Sequence, residues 1–314
     1  MRKFLGVCLT CCLFGVMVLV VLAAIVRQKG STPPAGVALE TNLVYGKGGD
    51  QALTLDLTRP KEGQGPFPAI VFVHGGGWVG GDKESYHPFM FHFTQAGIVC
   101  ITINYRLAPK NRFPAQIEDA RCAVRWLRAN AGKYHVDPHR IAAFGGSAGA
   151  HLVALLGTTN GSKRWEGSGG NPEQSSAICA MVCMSGPYDL SLGYLHSVRQ
   201  NAQEGGAVRG MLEAFLGGTP EQREAEYRAA SPMTYASKDT VPTLLTHGTA
   251  DPLVPPEQSE VFYSKLKSLG VDVELIRLEG AGHADFGKHP QEAIARITAF
   301  VRKQLLSPDK SSPH

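Results

Sequence analysis

From about Leu43 onward, short apolar runs alternate with stretches in which apolar residues recur every three or four positions. The first pattern predicts strands and the second predicts helices with one buried face. Leu53, Leu55 and Leu57 alternate with Thr54, Asp56 and Thr58, which predicts a half-exposed strand, antiparallel and near a sheet edge. Residues 69–73 are apolar throughout and 98–105 nearly so, as expected of strands covered on both faces. Further strands are predicted over 140–144, 178–184, 243–246 and 271–278. Helices are predicted over 114–131, where Ile117, Ala120, Val124 and Leu127 share a face, from 150 to 156, and over 292–305. Pro114 suits the first turn of the 114–131 helix and Gly132 its end.

Strands alternating with helices predict an α/β fold, a mostly parallel central sheet with helices on both faces, in one domain over 43–306. Residues 188–235 lack a strand pattern and carry helical pieces around 208–216, so they read as a cap inserted over the sheet. Residues 30–42, with Gly30, Ser31, Thr32, Pro33 and Pro34, read as a linker, and 307–314 as a flexible tail.

The first 29 residues break the pattern, because Arg2 and Lys3 precede an unbroken apolar run over 4–26 that ends at Arg27 and Lys29. At about 1.5 Å per residue such a run spans a bilayer core of about 30 Å, so it serves as a membrane anchor. Ala23 and Ala24 also suit a cleavage site, which makes a removed signal peptide the alternative. Either outcome puts the domain outside the cytoplasmic membrane, anchored in the first case, secreted or periplasmic in the second.

Composition narrows the function. With 43% hydrophobic and 18% charged residues there is material for a large core, which excludes a disordered chain. A net charge of +4 spread along the sequence leaves no basic patch for nucleic acid. Cys100, Cys122, Cys179 and Cys183 have neither the paired spacing of a zinc site nor that of a disulfide framework, and no metal is expected.

The chemistry concentrates in four places. Gly145-Gly146-Ser147-Ala148-Gly149 lies between a strand and an apolar helix, the context in which small neighbours let a serine hydroxyl project from a tight turn. A serine hydroxyl needs a base, and His283 follows the last strand in a loop of small residues, Glu279-Gly280-Ala281-Gly282. His247, at the end of a buried strand, is the competing imidazole. Asp251 comes between serine and histidine in chain order and just after a strand, which suits the group that orients the base. Asp239 precedes that strand and Asp285 is too near His283, so both are weaker. His74-Gly75-Gly76-Gly77 follows a buried strand, and the amides of Gly76, Gly77 and Ala148 are the expected donors to an oxyanion. His74 reads as a brace for that loop. Trp78 is expected to wall the acyl pocket or, equally, to pack against the cap.

Together with Asn104-Tyr105-Arg106-Leu107-Ala108-Pro109 and Phe113-Pro114, these motifs make 43–305 resemble the α/β-hydrolase esterases and lipases, including the hormone-sensitive-lipase-like carboxylesterases. The resemblance implies a triad of Ser147, Asp251 and His283 working without cofactor. Gly146 stands where the hormone-sensitive-lipase branch carries Asp, which makes the chain similar to relatives acting on acetyl or feruloyl esters of polysaccharides. The expected substrate is a small acyl or aryl ester, free or on a polysaccharide. A peptidase or formamidase of the same fold is the alternative reaction. A non-catalytic binding module is the alternative role, though binding alone has no need of those three side chains in that order.

Overall fold

A computed structural model of the chain describes residues 32–200 and 202–306, so the predicted N-terminal anchor or signal (1–29) and the 307–314 tail lie outside the described residues. The strands are β1 (Val37–Gly48), β2 (Gln51–Pro60), β3 (Phe67–Val73), β4 (Val99–Ile103), β5 (Val136–Gly146), β6 (Met181–Met184), β7 (Thr243–Gly248) and β8 (Val273–Leu278). They form one eight-stranded sheet in the order β1-β2-β4-β3-β5-β6-β7-β8. β2 runs antiparallel to both of its neighbours, and the pairs from β4 to β8 are parallel. The helices are α1 (His87–Gln95), α2 (Ala115–Ala129), α3 (Ala131–Tyr134), α4 (Ala148–Thr158), α5 (Leu190–Arg199), α6 (Ala202–Leu216), α7 (Glu224–Ala230), α8 (Glu257–Ser268) and α9 (Pro290–Leu305).

The continuous apolar strands feed two cores at once, because successive side chains of a strand point to opposite faces. Ala69, Val71 and Val73 of β3 join one core with Ile117 of α2, Leu152 of α4 and Phe262 of α8. Ile70 and Phe72 join the other, with Met90 and Phe93 of α1 and Ile297 and Phe300 of α9. Each large apolar side chain so buried contributes about 1.5–3 kcal/mol. Residues 188–235 contain α5, α6 and α7 and no strand, and Leu212, Phe215 and Tyr227 extend the first core upward.

Three local expectations need correction. β1 occupies the second half of the stretch read as linker. Its two-residue alternation is broken by irregularities between Glu40 and Leu43 and between Val44 and Gly46, which hides it in the sequence. Gly132 does not close the 114–131 helix: α2 stops at Ala129, Asn130 Nδ2 donates back to the Trp126 carbonyl at 2.8 Å, and α3 begins.

The polar residues of β2 do not all face water. Asp56 and Thr58 are fully buried, because α1 and the turn before it lie across that face. Lys83 Nζ lies 3.0 Å from Asp56 Oδ1 and His87 Nε2 lies 2.9 Å from Asp56 Oδ2, while the Asn42 amide donates to Oδ1 at 2.8 Å. The Thr58 and Thr94 hydroxyls are 2.6 Å apart. Breaking a buried ion pair by deleting one partner leaves the other charge uncompensated. Asp56→Ala is therefore expected to lower the unfolding free energy by about 3–5 kcal/mol, measured by urea denaturation. A loss below about 1 kcal/mol, the worth of an exposed pair, would contradict this account.

Candidate active site

Parallel strands deliver their following loops to the same sheet edge, and four of those loops meet here. β5 ends at Gly146, Ser147 takes φ 55° and ψ −123°, and α4 starts at Ala148. A backbone in that region costs on the order of 1–3 kcal/mol and needs support from its surroundings. The Ser147 amide donates to the Met184 carbonyl at 2.8 Å, and its carbonyl accepts from the His151 amide at 3.0 Å. Glycine is required on both sides. A Cβ on Gly145 would strike the Gly149 carbonyl, and one on Gly149 would strike the Val73 and His74 carbonyls at the end of β3.

The loop after β8 brings His283 Nε2 to 2.8 Å from Ser147 Oγ. His283 Nδ1 lies 2.8 Å from Asp251 Oδ2. Asp251 follows β7, and its Oδ1 accepts the amides of Leu253 at 2.9 Å and Val254 at 3.0 Å. Burial works against its charge, but hydrogen bonds from His247, His283 and the Val254 amide outweigh it and hold the carboxyl well below the usual carboxylate range. An ionised carboxylate beside Nδ1 puts the proton there, which leaves Nε2 free to accept from the serine hydroxyl. Three residues separated widely in sequence thus form one connected line.

The competing residues fall elsewhere. Asp239 is exposed beside Lys238. Asp285 accepts from the Gly287 amide. His247 is 2% exposed and touches Asp251 rather than Ser147, with Nε2 at 3.2 Å from Oδ2.

The glycine loop after β3 lies directly against Ser147, since a Cβ on Gly75 would come within 3.3 Å of Ser147 Cβ. Gly76 and Gly77 take φ 109° and 58°, and the Gly76 carbonyl accepts from the Val79 and Gly80 amides, closing a tight turn. His74 braces it as expected. Its Nδ1 lies 2.7 Å from the Gly75 carbonyl, its ring stacks on Tyr105 at 4.3 Å, and the Tyr105 hydroxyl donates to the His74 carbonyl at 3.0 Å. Burial lowers the His74 pKa and keeps the ring neutral at ordinary pH. Arg106, which follows Tyr105 in the loop after β4, grips Asp119 and Glu118 on α2.

Of the two roles open to Trp78, the structure gives it the packing one. The ring is 4% exposed, stacked at 4.4 Å on Phe215 of the cap, with Nε1 donating to His151 Nδ1 at 3.2 Å, so it presents no open wall to an acyl group. His151 and the cap residues Met211 and Phe215 went unrecognised in the sequence. His151 stands four residues after Ser147, and a lone polar side chain in the apolar 150–156 run was the available signal. Its Nε2 lies 2.7 Å from the Ala230 carbonyl of α7, and burial depresses its pKa to about 4.

The BD-FAE family model matches residues 55–266. Esterase LipC of Mycobacterium tuberculosis is 32% identical over 263 residues, 80% of this chain and 63% of that protein. Across the first three curated relatives the chain covers 47–63% of their length. Among solved structures, a truncated carbohydrate esterase from gut microbiota superposes with a TM-score of 0.75 at 28% identity, covering 88% of this chain and 100% of that one. Esterase Est2 of Thermogutta terrifontis gives 0.70 at 27%, covering 90% and 99%. The sheet order, the elbow at Ser147 and these matches agree: the chain belongs to the BD-FAE family of α/β-hydrolase-fold esterases.

Proposed function

We propose that the chain is a serine carboxylic-ester hydrolase that works through an acyl-enzyme on esters of short carboxylic acids, acetyl esters of carbohydrates above all. The observation that carries the reaction is the pair of 2.8 Å contacts joining Ser147 Oγ to His283 and His283 to Asp251. Ser147 Oγ attacks the ester carbonyl carbon while its proton passes to His283 Nε2. The carbonyl oxygen gains the negative charge and takes hydrogen bonds from the amides of Gly76, Gly77 and Ala148. The tetrahedral adduct collapses, the alcohol leaves with the proton from His283, and Ser147 keeps the acyl group. Water then attacks the acyl-enzyme with His283 again as base, releasing the acid. Asp251 holds the imidazolium in both halves.

Two observations favour a short acyl group. A Cβ at Gly77 would run into Met211 Sδ, so the cap helix α6 lays this side chain directly on the oxyanion loop and restricts the room beside the ester carbonyl. The Thermogutta terrifontis esterase is described in propionate-bound and butyrate-bound forms. The carbohydrate alcohol is supported by the gut-microbiota carbohydrate esterase of similar fold. We place the enzyme outside the cytoplasmic membrane on the strength of the apolar run over 4–26. No helix among the described residues is long and apolar enough to cross a membrane, so anchoring would rest on that run alone. Cell fractionation with N-terminal sequencing separates an anchored chain from a processed one.

On a panel of p-nitrophenyl acetate, butyrate and octanoate, acetylated xylan, methyl ferulate and a peptide p-nitroanilide, the acetyl esters are expected to turn over fastest. Ser147→Ala is expected to lose on the order of 10⁵- to 10⁶-fold in kcat. Cleavage of the anilide with inert esters would point to a peptidase, and no activity on any substrate to a binding module. Met211→Ala opens space beside the carbonyl. Each extra methylene buried there is worth about 0.8 kcal/mol, roughly fourfold in kcat/KM, so the octanoate-to-acetate ratio should rise about tenfold or more. An unchanged ratio would remove Met211 as the limit on chain length.

A further inference from the structure

Asp251 Oδ2 serves two imidazoles. His283 Nδ1 lies 2.8 Å away and His247 Nε2 lies 3.2 Å away, while Oδ1 is taken by two backbone amides. The proton on His247 can be assigned from its other contacts. Nε2 also lies 2.9 Å from the Val254 carbonyl, which only accepts, so Nε2 carries the hydrogen. Nδ1 lies 2.6 Å from Ser259 Oγ. Ser259 belongs to α8, and behind it stands Tyr188, whose burial pushes its pKa well above the ordinary value and keeps it neutral. Asp251 is thus the charged group that His247 meets, and Nε2 is a nitrogen that carries hydrogen.

Resting on the triad proposed above, we infer that His247 is a positioning residue for the reaction. Its Nε2–H, directed at the Val254 carbonyl at 2.9 Å, also faces Oδ2 at 3.2 Å beside His283, which stops the carboxylate from turning out of line and draws part of its negative charge away from His283. A carboxylate with several donors stabilises a neighbouring imidazolium less than one that spends its charge on that partner alone. His247 therefore makes His283 a weaker base and a better acid toward the leaving alcohol. It holds no contact with Ser147 and does not itself move a proton.

The test compares wild type, His247→Leu and His247→Gln on p-nitrophenyl acetate from pH 5 to 9. The leucine variant is expected to lose about 10- to 100-fold in kcat, the worth of one hydrogen bond to a charged group, with KM within about twofold. Its acid limb of kcat/KM is expected to move to higher pH, because Asp251 then acts on His283 alone. The glutamine side chain keeps an N–H donor, and His247→Gln should recover most of kcat and return the limb toward the wild-type position. Lower kcat with an unmoved limb and no recovery by glutamine would make His247 a packing residue only and overturn the inference. Should the leucine chain fail to melt cooperatively, nitrogen NMR of the wild-type imidazoles decides. An Nε2–H tautomer at His247 is expected, and a ring with Nδ1–H and bare Nε2 there overturns the assignment. A wild type inert toward every ester would instead defeat the esterase reading.

Discussion

The backbone of Ser147, held at φ 55° and ψ −123°, lifts the hydroxyl clear of the sheet only because nothing larger than hydrogen stands at Gly145 or Gly149. That close approach sets the first turn of α4 against the end of β3, and hence against the glycine loop that follows it. It also aims the helix N-terminus, with its partial positive charge, at the place where an oxyanion would form. The strain is tolerable because β5 is central: β3 and β6 pair with it on either side, and Ala143 and Phe144 anchor it in the two cores. A turn of this kind at a sheet edge would lack neighbours to hold it.

Parallel order supplies the rest of the site. β3, β5, β7 and β8 all run the same way, so the glycine loop, the Ser147 turn, the Asp251 turn and the His283 loop emerge at one edge. The β7 and β8 loops are also tied to each other, by the Ala250 amide donating to the Ala281 carbonyl at 2.9 Å and the Gly280 amide donating to Thr249 Oγ1 at 2.8 Å. Acid and base therefore keep a common frame, and the imidazole orientation follows from it.

The cap is joined to this frame through aromatic and imidazole contacts. Phe215 lies flat on Trp78, His151 stands edge-on to both, and the Phe113 amide donates to the Phe215 carbonyl at 3.0 Å. His151 uses both ring nitrogens, one toward Trp78 and one toward Ala230. Burial lowers its pKa to about 4, so the ring stays neutral at ordinary pH and Nδ1 remains an acceptor for Trp78. The glycine loop, α4 and the cap are accordingly joined by direct contacts.

The residues with chemistry announced themselves in sequence because each depends on a local requirement. Glycine must flank a tight turn at Ser147, His283 follows a strand in a run of small residues, and Asp251 follows a buried strand. The alternating runs from 43 onward exposed the α/β architecture for the same reason, since period and side-chain direction are properties of a single element. What the sequence alone left undecided was the company each polar or aromatic side chain would keep. Asp56 looks solvent-facing until α1 covers it, Trp78 suits a pocket wall until Phe215 takes its face, and His247 looks like a rival base until Asp251 turns toward it. Such environments are made by elements from other parts of the chain, so only the packed structure determines whether a group is solvated, stacked or shared.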